Sequence, residues 1–221
     1  FSTGRVECDA DSADFSEATI TSGENRVRFS GTAPFSVTRM AMVDGGKMDM
    51  KGELVNQDLS VLTMFLPQLD PARTKGPTQA GVAVSGQWPH PQIAGAVRVA
   101  DGQIGIRGMD TLLRDVRVEM DLSGDRVDIR TFSLASSEGG STSLTGGASL
   151  TAGGWQLDAN AKADSLALRF ANLTGIYKES YAGRLDGVLR VAGPLGAPQV
   201  TGHLEAHDGT VGLPVIPEKI P

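Results

Sequence analysis

Asp115-Val116-Arg117-Val118-Glu119-Met120-Asp121-Leu122 places an apolar residue at every even position and a charged one at every odd position. A period of two sends one set of side chains to a core and the other to water, so this stretch predicts a half-buried strand. Ser123-Gly124-Asp125 follows, with the glycine a hairpin link wants, and Arg126-Val127-Asp128-Ile129-Arg130 resumes the alternation. Two strands joined this way make an antiparallel meander. Further out, Trp155 to Asp164 alternates again after Gly153-Gly154, the turn from the strand near Ser143 to Leu150. Similar short runs cover Val82 to Val84, Ile93 to Val99, Leu185 to Val191 and Val200 to Ala206, each bounded by turn residues. Short strands at this spacing predict an all-β fold.

The chain also repeats itself. The 21 residues from Gly86 to Ile106 align without a gap on Gly193 to Leu213, 107 positions later. Seven positions are identical: Gly86/Gly193, Pro91/Pro198, Gln92/Gln199, Gly95/Gly202, Asp101/Asp208, Gly102/Gly209 and Gly105/Gly212. Ile93/Val200, Val97/Leu204, Ile104/Val211 and Ile106/Leu213 agree in kind. Self-similarity of this sort predicts an elongated stack whose units bury their apolar faces on their neighbours. About fifteen strands at about 4.8 Å spacing would reach roughly 70 Å.

Composition narrows the function classes. The net charge of −6 works against a nucleic-acid partner, which needs a basic surface. Twenty-eight glycines, eleven prolines and only 5% aromatics suit strands and turns better than a large helical core. Cys8 is the single cysteine and reads as an inert small side chain. No apolar run approaches the about 20 residues that span a bilayer as a helix. The first residue, Phe1, and the closing Pro217-Glu218-Lys219-Ile220-Pro221 suggest a segment of a longer protein, with any signal or anchor outside these residues.

Two places depart from the alternation. Asp58 to Pro67 has a possible N-cap at Asp58 or Ser60 and a proline stop, which predicts a short helix that plugs or closes over the β layer. Leu166 to Leu173 is ambiguous between strand and helix. The proline-rich stretch Pro67 to Pro77 is the expected boundary. The organisation predicted is an N-terminal β unit (1–75) with a helix near 58–66, a β repeat unit (76–180), and the start of a next unit (181–221).

Chemistry-bearing constellations are scarce. His90 sits between two prolines at a repeat turn, His203 faces outward on a strand, and His207 precedes Asp208-Gly209, which with Asp101-Gly102 reads as a turn. In a strand, His203 and His207 would stand about 13 Å apart, too far for one metal. Gly139-Gly140 and Gly146-Gly147 lack the order and following helix of a phosphate loop and read as bulges and turns. The pairs Asp9 and Asp11, and Glu119 and Asp121, read as solvated faces. The expectation is no catalytic residue, no cofactor and no metal.

Three strings carry a family likeness: Tyr181-x-Gly183-x-Leu185-x-Gly187-x-Leu189-x-Val191-x-Gly193, then Pro198-x-Val200-x-Gly202-x-Leu204, then Asp208-Gly209-x-Val211-x-Leu213-Pro214. Their order resembles the recurring unit of the TamB and AsmA-like envelope proteins. The Gly86 to Ile106 copy and the phrase Gly52-x-Leu54 through Asp58-Leu59-Ser60 to Leu66-Pro67 are similar to the same family. The resemblance implies a long sheet curled into an open trough, a β-taco, apolar inside and polar outside. It implies a periplasmic location, with an N-terminal inner-membrane anchor outside these residues. It further implies phospholipid transport between the two membranes and support of outer-membrane protein assembly, with a barrel partner met through other regions.

The residues expected on the inner face, against acyl chains, are Val82, Val84, Ile93, Val97, Val99, Ile104, Ile106, Val116, Val118, Met120, Leu122, Val127, Ile129, Leu157, Leu189, Val191, Leu204, Val211 and Leu213. The same pattern fits an ordinary dry core, and a β-solenoid binding or adhesion domain with a filled interior is the alternative. A carbohydrate-active enzyme would need facing carboxylates and stacked aromatics; Trp88, Trp155, Tyr177 and Tyr181 are scattered.

Overall fold

Each alternating run becomes a strand, and each strand pairs with the next along the chain. The computed structural model describes residues 2–167 and 180–212. The strands are β1 (Ser2–Cys8), β2 (Ala13–Ser22), β3 (Asn25–Ala33), β4 (Phe35–Ser36), β5 (Ala41–Met42), β6 (Lys47–Leu54) and β7 (Thr78–Gln87). They continue as β8 (His90–Gly105), β9 (Leu112–Gly124), β10 (Arg126–Ser136), β11 (Ser141–Thr151), β12 (Gly154–Ala167), β13 (Ser180–Pro194) and β14 (Gln199–Gly212). Among the described residues twelve form one sheet, ordered β1-β2-β3-β6-β7-β8-β9-β10-β11-β12-β13-β14, while β4 and β5 pair separately. Every neighbouring pair is antiparallel. The large sheet does not close on itself. The molecule is thus all-β, an elongated antiparallel sheet forming an open trough, and twelve strands at about 4.8 Å span roughly 50 Å.

The strands are longer than the sequence suggested. β8 has 16 residues and β14 has 14, each running straight through an Asp-Gly pair expected to be a turn. Asp101 and Asp208 instead hold left-handed φ values of 51° inside their strands. The β8–β9 register shifts between Val99 and Gly102, as a bulge requires. The cause is visible in the apolar phase: Val97 and Val99 are odd, Ile104 and Ile106 even, so one extra residue is inserted and the strand continues. Aspartate tolerates this backbone better than most residues. Asp115 (φ 52°) in β9 and Ser165 (φ 47°) in β12 share the conformation.

Glycine marks where neighbouring backbones approach closely. Gly187 and Gly202, at φ 153° and 145°, lie on the β13–β14 seam. A Cβ at Gly187 would lie 2.2 Å from the His203 carbonyl oxygen, and one at Gly202 2.1 Å from that of Val188. Neither position admits a side chain without moving the paired strand.

Residues 55–77 leave the sheet and return to it as a strap, while β6 and β7 pair directly, Lys47 with Gln87 through Glu53 with Gly81. The expected helix is present as one 3₁₀ segment, Leu59–Met64, with Asp58 as N-cap accepting from the Ser60 backbone N–H. Its Leu59 joins Val99, Ile106, Leu113 and Val116 in a buried cluster, against which Leu62, Leu69, Ile104, Met109, Val118 and Leu134 pack. The rest of the stretch Leu166 to Leu173 beyond Ala167 lies outside the described residues.

Candidate functional site

Residues that face each other in an antiparallel pair share a side of the sheet, so the registers define rows across the trough. One row runs Ala18, Phe29, Gly52, Val82, Gly95, Leu122, Val127, Ala148, Leu157, Gly193 over ten strands. Beside it lies Ala80, Val97, Met120, Ile129, Gly146, Ala159, Val191, Val200. The next is Thr78, Val99, Val118, Phe132, Leu144, Ala161, Leu189, Gly202. On the other flank Val6, Phe15, Gly31, Met50, Val84 and Ile93 continue the surface towards β1. No charged side chain interrupts these rows.

The residues expected on the inner face are thereby brought together. Val82, Val84, Ile93, Val97, Val118, Met120, Leu122, Val127, Ile129, Leu157, Leu189 and Val191 are half-buried, shielded by their row neighbours. Ile104 is also half-buried, against the strap. Val99, Ile106 and Val116 are buried in the cluster that Leu59 joins. Leu204 is 46% exposed on the last strand of the sheet. Val211 is described by its backbone, which faces Tyr181, and Leu213 lies outside the described residues.

The strap covers the trough beside the bends of β8 and β9. Ser60 Oγ donates to Asn25 Oδ1 (2.9 Å), Asn56 Nδ2 donates to the same oxygen (2.8 Å), and the Gly76 N–H donates to Asp58 Oδ2 (3.1 Å). Lys75 and Gln103 exchange backbone hydrogen bonds of 2.9 and 2.8 Å. Arg73 binds Asp70 at 2.8 Å and donates to the carbonyl oxygens of Ile106 and Met109. Burial pushes the Asp58 carboxyl up, but hydrogen bonds from Ser60 and the Gly76 N–H, with the Lys75 charge, outweigh it and hold the pKa below the usual range. The strap is a fixed clamp over part of the trough, leaving the rows from Phe29 to Leu157 and from Val97 to Val191 beside it.

On the sheet's other face, opposite the apolar rows, charged side chains form ladders across the strands. Arg28 pairs with Glu53 at 2.8 Å, Arg98 with Glu119 at 3.7 Å, and Arg190 with Asp158 at 3.1 Å. Asp121 sits between Arg98 and Arg130. The hydrogen bond from Arg98 is the main cause that lowers its pKa; burial opposes it, and the charges of Arg130 and Arg98 add to the lowering. The histidines come closer in effect than the strand spacing implied: His203 Nε2 lies 2.8 Å from Glu205 Oε1, and His207 Nε2 3.5 Å from Glu205 Oε2. No cluster among the described residues could hold a metal ion.

The sequence reading missed several members of the inner face. Phe29, Met50, Phe132 and Leu144 belong to it, as do the small residues Ala159 and Ala161. For Phe132 the signal was a phase change: Val127 and Ile129 are odd, Phe132 and Leu134 even, and the β10 registers shift between Ile129 and Phe132. Compared with protein-family models, curated proteins and solved structures, the chain matches none.

Proposed function

We propose that the trough carries the acyl chains of phospholipids, and that the chain is a periplasmic segment of a TamB or AsmA-like envelope protein. In this role it moves phospholipid between inner and outer membranes and supports outer-membrane protein assembly. The observation that carries the reading is the set of apolar rows, up to ten strands long, half-exposed and free of charge. Hydrocarbon gains about 0.8 kcal/mol per CH₂ removed from water, so two chains of about 16 carbons cost roughly 25 kcal/mol to carry bare. A surface of repeated small aliphatics offsets that cost equally at each step, so a lipid meets no deep trap along it. A charge pointing inward would cost several kcal/mol and break the path. The alternation keeps charge on the other face.

Photo-crosslinking tests the reading. A photoreactive residue at Ile129 or Leu157, in the rows, is expected to capture phospholipid from vesicles or cells. The same residue at Asp128 or Asp158, on the outer face, is expected to capture little. Equal labelling of the two faces would overturn the proposal.

A further inference from the structure

The hairpins β7–β8 and β13–β14 are one structure built twice. Val82 faces Gly95 and Val84 faces Ile93; in the second hairpin Leu189 faces Gly202 and Val191 faces Val200. The 107-residue offset relates these pairs, and the backbone repeats as well: φ is 157° and 145° at Gly95 and Gly202, and 51° at both Asp101 and Asp208. β8 has β9 on its second edge, where Gly95, Val97 and Val99 face Leu122, Met120 and Val118. Among the described residues, the second edge of β14 has no such neighbour. Val200 and Leu204 are 58% and 46% exposed there, while their counterparts Ile93 and Val97 are half-buried.

The outer row says what kind of strand fits. At the β8–β9 seam Arg98 faces Glu119 and pairs with it. The residue of β14 equivalent to Arg98 is Glu205, and Asp186 of β13 faces Glu205 from the other side. His203 and His207 both touch the Glu205 carboxylate, and His207 Nε2 also lies 3.7 Å from Asp186 Oδ2. The charge at this point of the seam is therefore reversed. A strand with an acidic residue at the Glu119 position would meet two carboxylates, and like charges directly opposite repel.

We propose that the edge of β14 left unpaired among the described residues docks an extended segment with the alternation of β9, apolar residues facing Gly202, Leu204 and Ala206, and a Lys or Arg facing Glu205. Backbone pairing supplies the attraction, and the side-chain row sets register and partner. The inference rests on the repeated hairpin and stands independently of what fills the trough.

The test uses the 221-residue chain and two labelled peptides: the β9 sequence Leu112–Gly124, and the same peptide carrying E119K. The E119K peptide is expected to bind at least about fivefold more tightly, and to slow hydrogen exchange at alternate β14 amides, since one opposite-charge pair replaces one repulsive pair. Glu205→Lys, an exposed change, is expected to reverse the preference between the peptides. Equal binding of both peptides, no preference change with Glu205→Lys, or protection at β1 with none at β14 would overturn the proposal. So would β14 protection that appears without peptide and grows with protein concentration, because a second copy would then occupy the edge.

Discussion

Asp101 and Asp208 are the residues at which sequence and structure part most instructively. Both pairs with glycine read as turns, and both aspartates in fact hold φ near that of a left-handed helix, 51°, inside a strand. What local composition does not separate is a turn from a bulge, because the same residue types serve each. The separating signal is the phase of the flanking apolar residues, and it extends over more positions than a turn motif does. Asp101 also pairs with Arg117 at 3.2 Å, but the two side chains are 73% and 63% exposed, so that contact contributes little. Backbone conformation is therefore the property under constraint. Asp101→Asn is expected to change stability by less than about 0.5 kcal/mol, whereas Asp101→Val, β-branched and ill suited to positive φ, should cost about 1–2 kcal/mol. Urea denaturation of the two variants checks this; equal losses would show that charge, not conformation, matters at the site.

At the scale of the element, the strap is the part whose local form could be read and whose partner could not. Asp58, Ser60 and the proline stop mark a short helix, and a 3₁₀ segment is there, capped by Asp58, one of the two candidates. Its target was hidden, because Leu59 packs on Val99, Ile106, Leu113 and Val116, far away in sequence. Gly102 makes the seat possible: a Cβ there would lie 2.8 Å from Leu59 Cδ2. Asp58 fastens the element by accepting from Ser60 and Gly76, and its pKa is lowered by those bonds despite the opposing effect of burial. The sign follows from that direction. Stability linked to a depressed carboxylate is present above its unfolded value, about pH 4, and is lost as pH falls through the lower folded value. Asp58→Ala should cost about 1 kcal/mol at neutral pH, and should flatten part of the stability loss below about pH 4. Exchange of the Gly76 amide, followed from neutral to acidic pH in both proteins, reads the strap directly; an unchanged acid profile in the variant would remove Asp58 from the clamp.

At the scale of the whole molecule, the described residues form a sheet whose buried hydrophobic cluster sits where the strap meets β8 and β9. All-β architecture was legible, and so was the common side of the sheet taken by residues such as Val82, Leu122, Val127 and Leu157, because period-two alternation dictates which side a residue takes regardless of what lies above it. Strand length was not, since bulges passed for ends. Nor could alternation alone distinguish a covered face from an open one, as the same valines serve both. Elsewhere along the trough the strands are held by backbone pairing, half-buried rows and the outer charge ladders, each contributing locally. A stack of this kind has stability that varies along its length. Hydrogen exchange should therefore be slowest in β8, β9 and residues 59–64, and faster in β1, β2, β13 and β14. Leu59→Ala, which empties the centre of the cluster, should cost about 2–5 kcal/mol there. It should accelerate exchange in β8 and β9 while leaving β11 and β12 nearly as they were. If β11 and β12 were to open in step with β8, the sheet would unfold as one cooperative unit, and a trough built of independently stable segments would be the wrong physical picture.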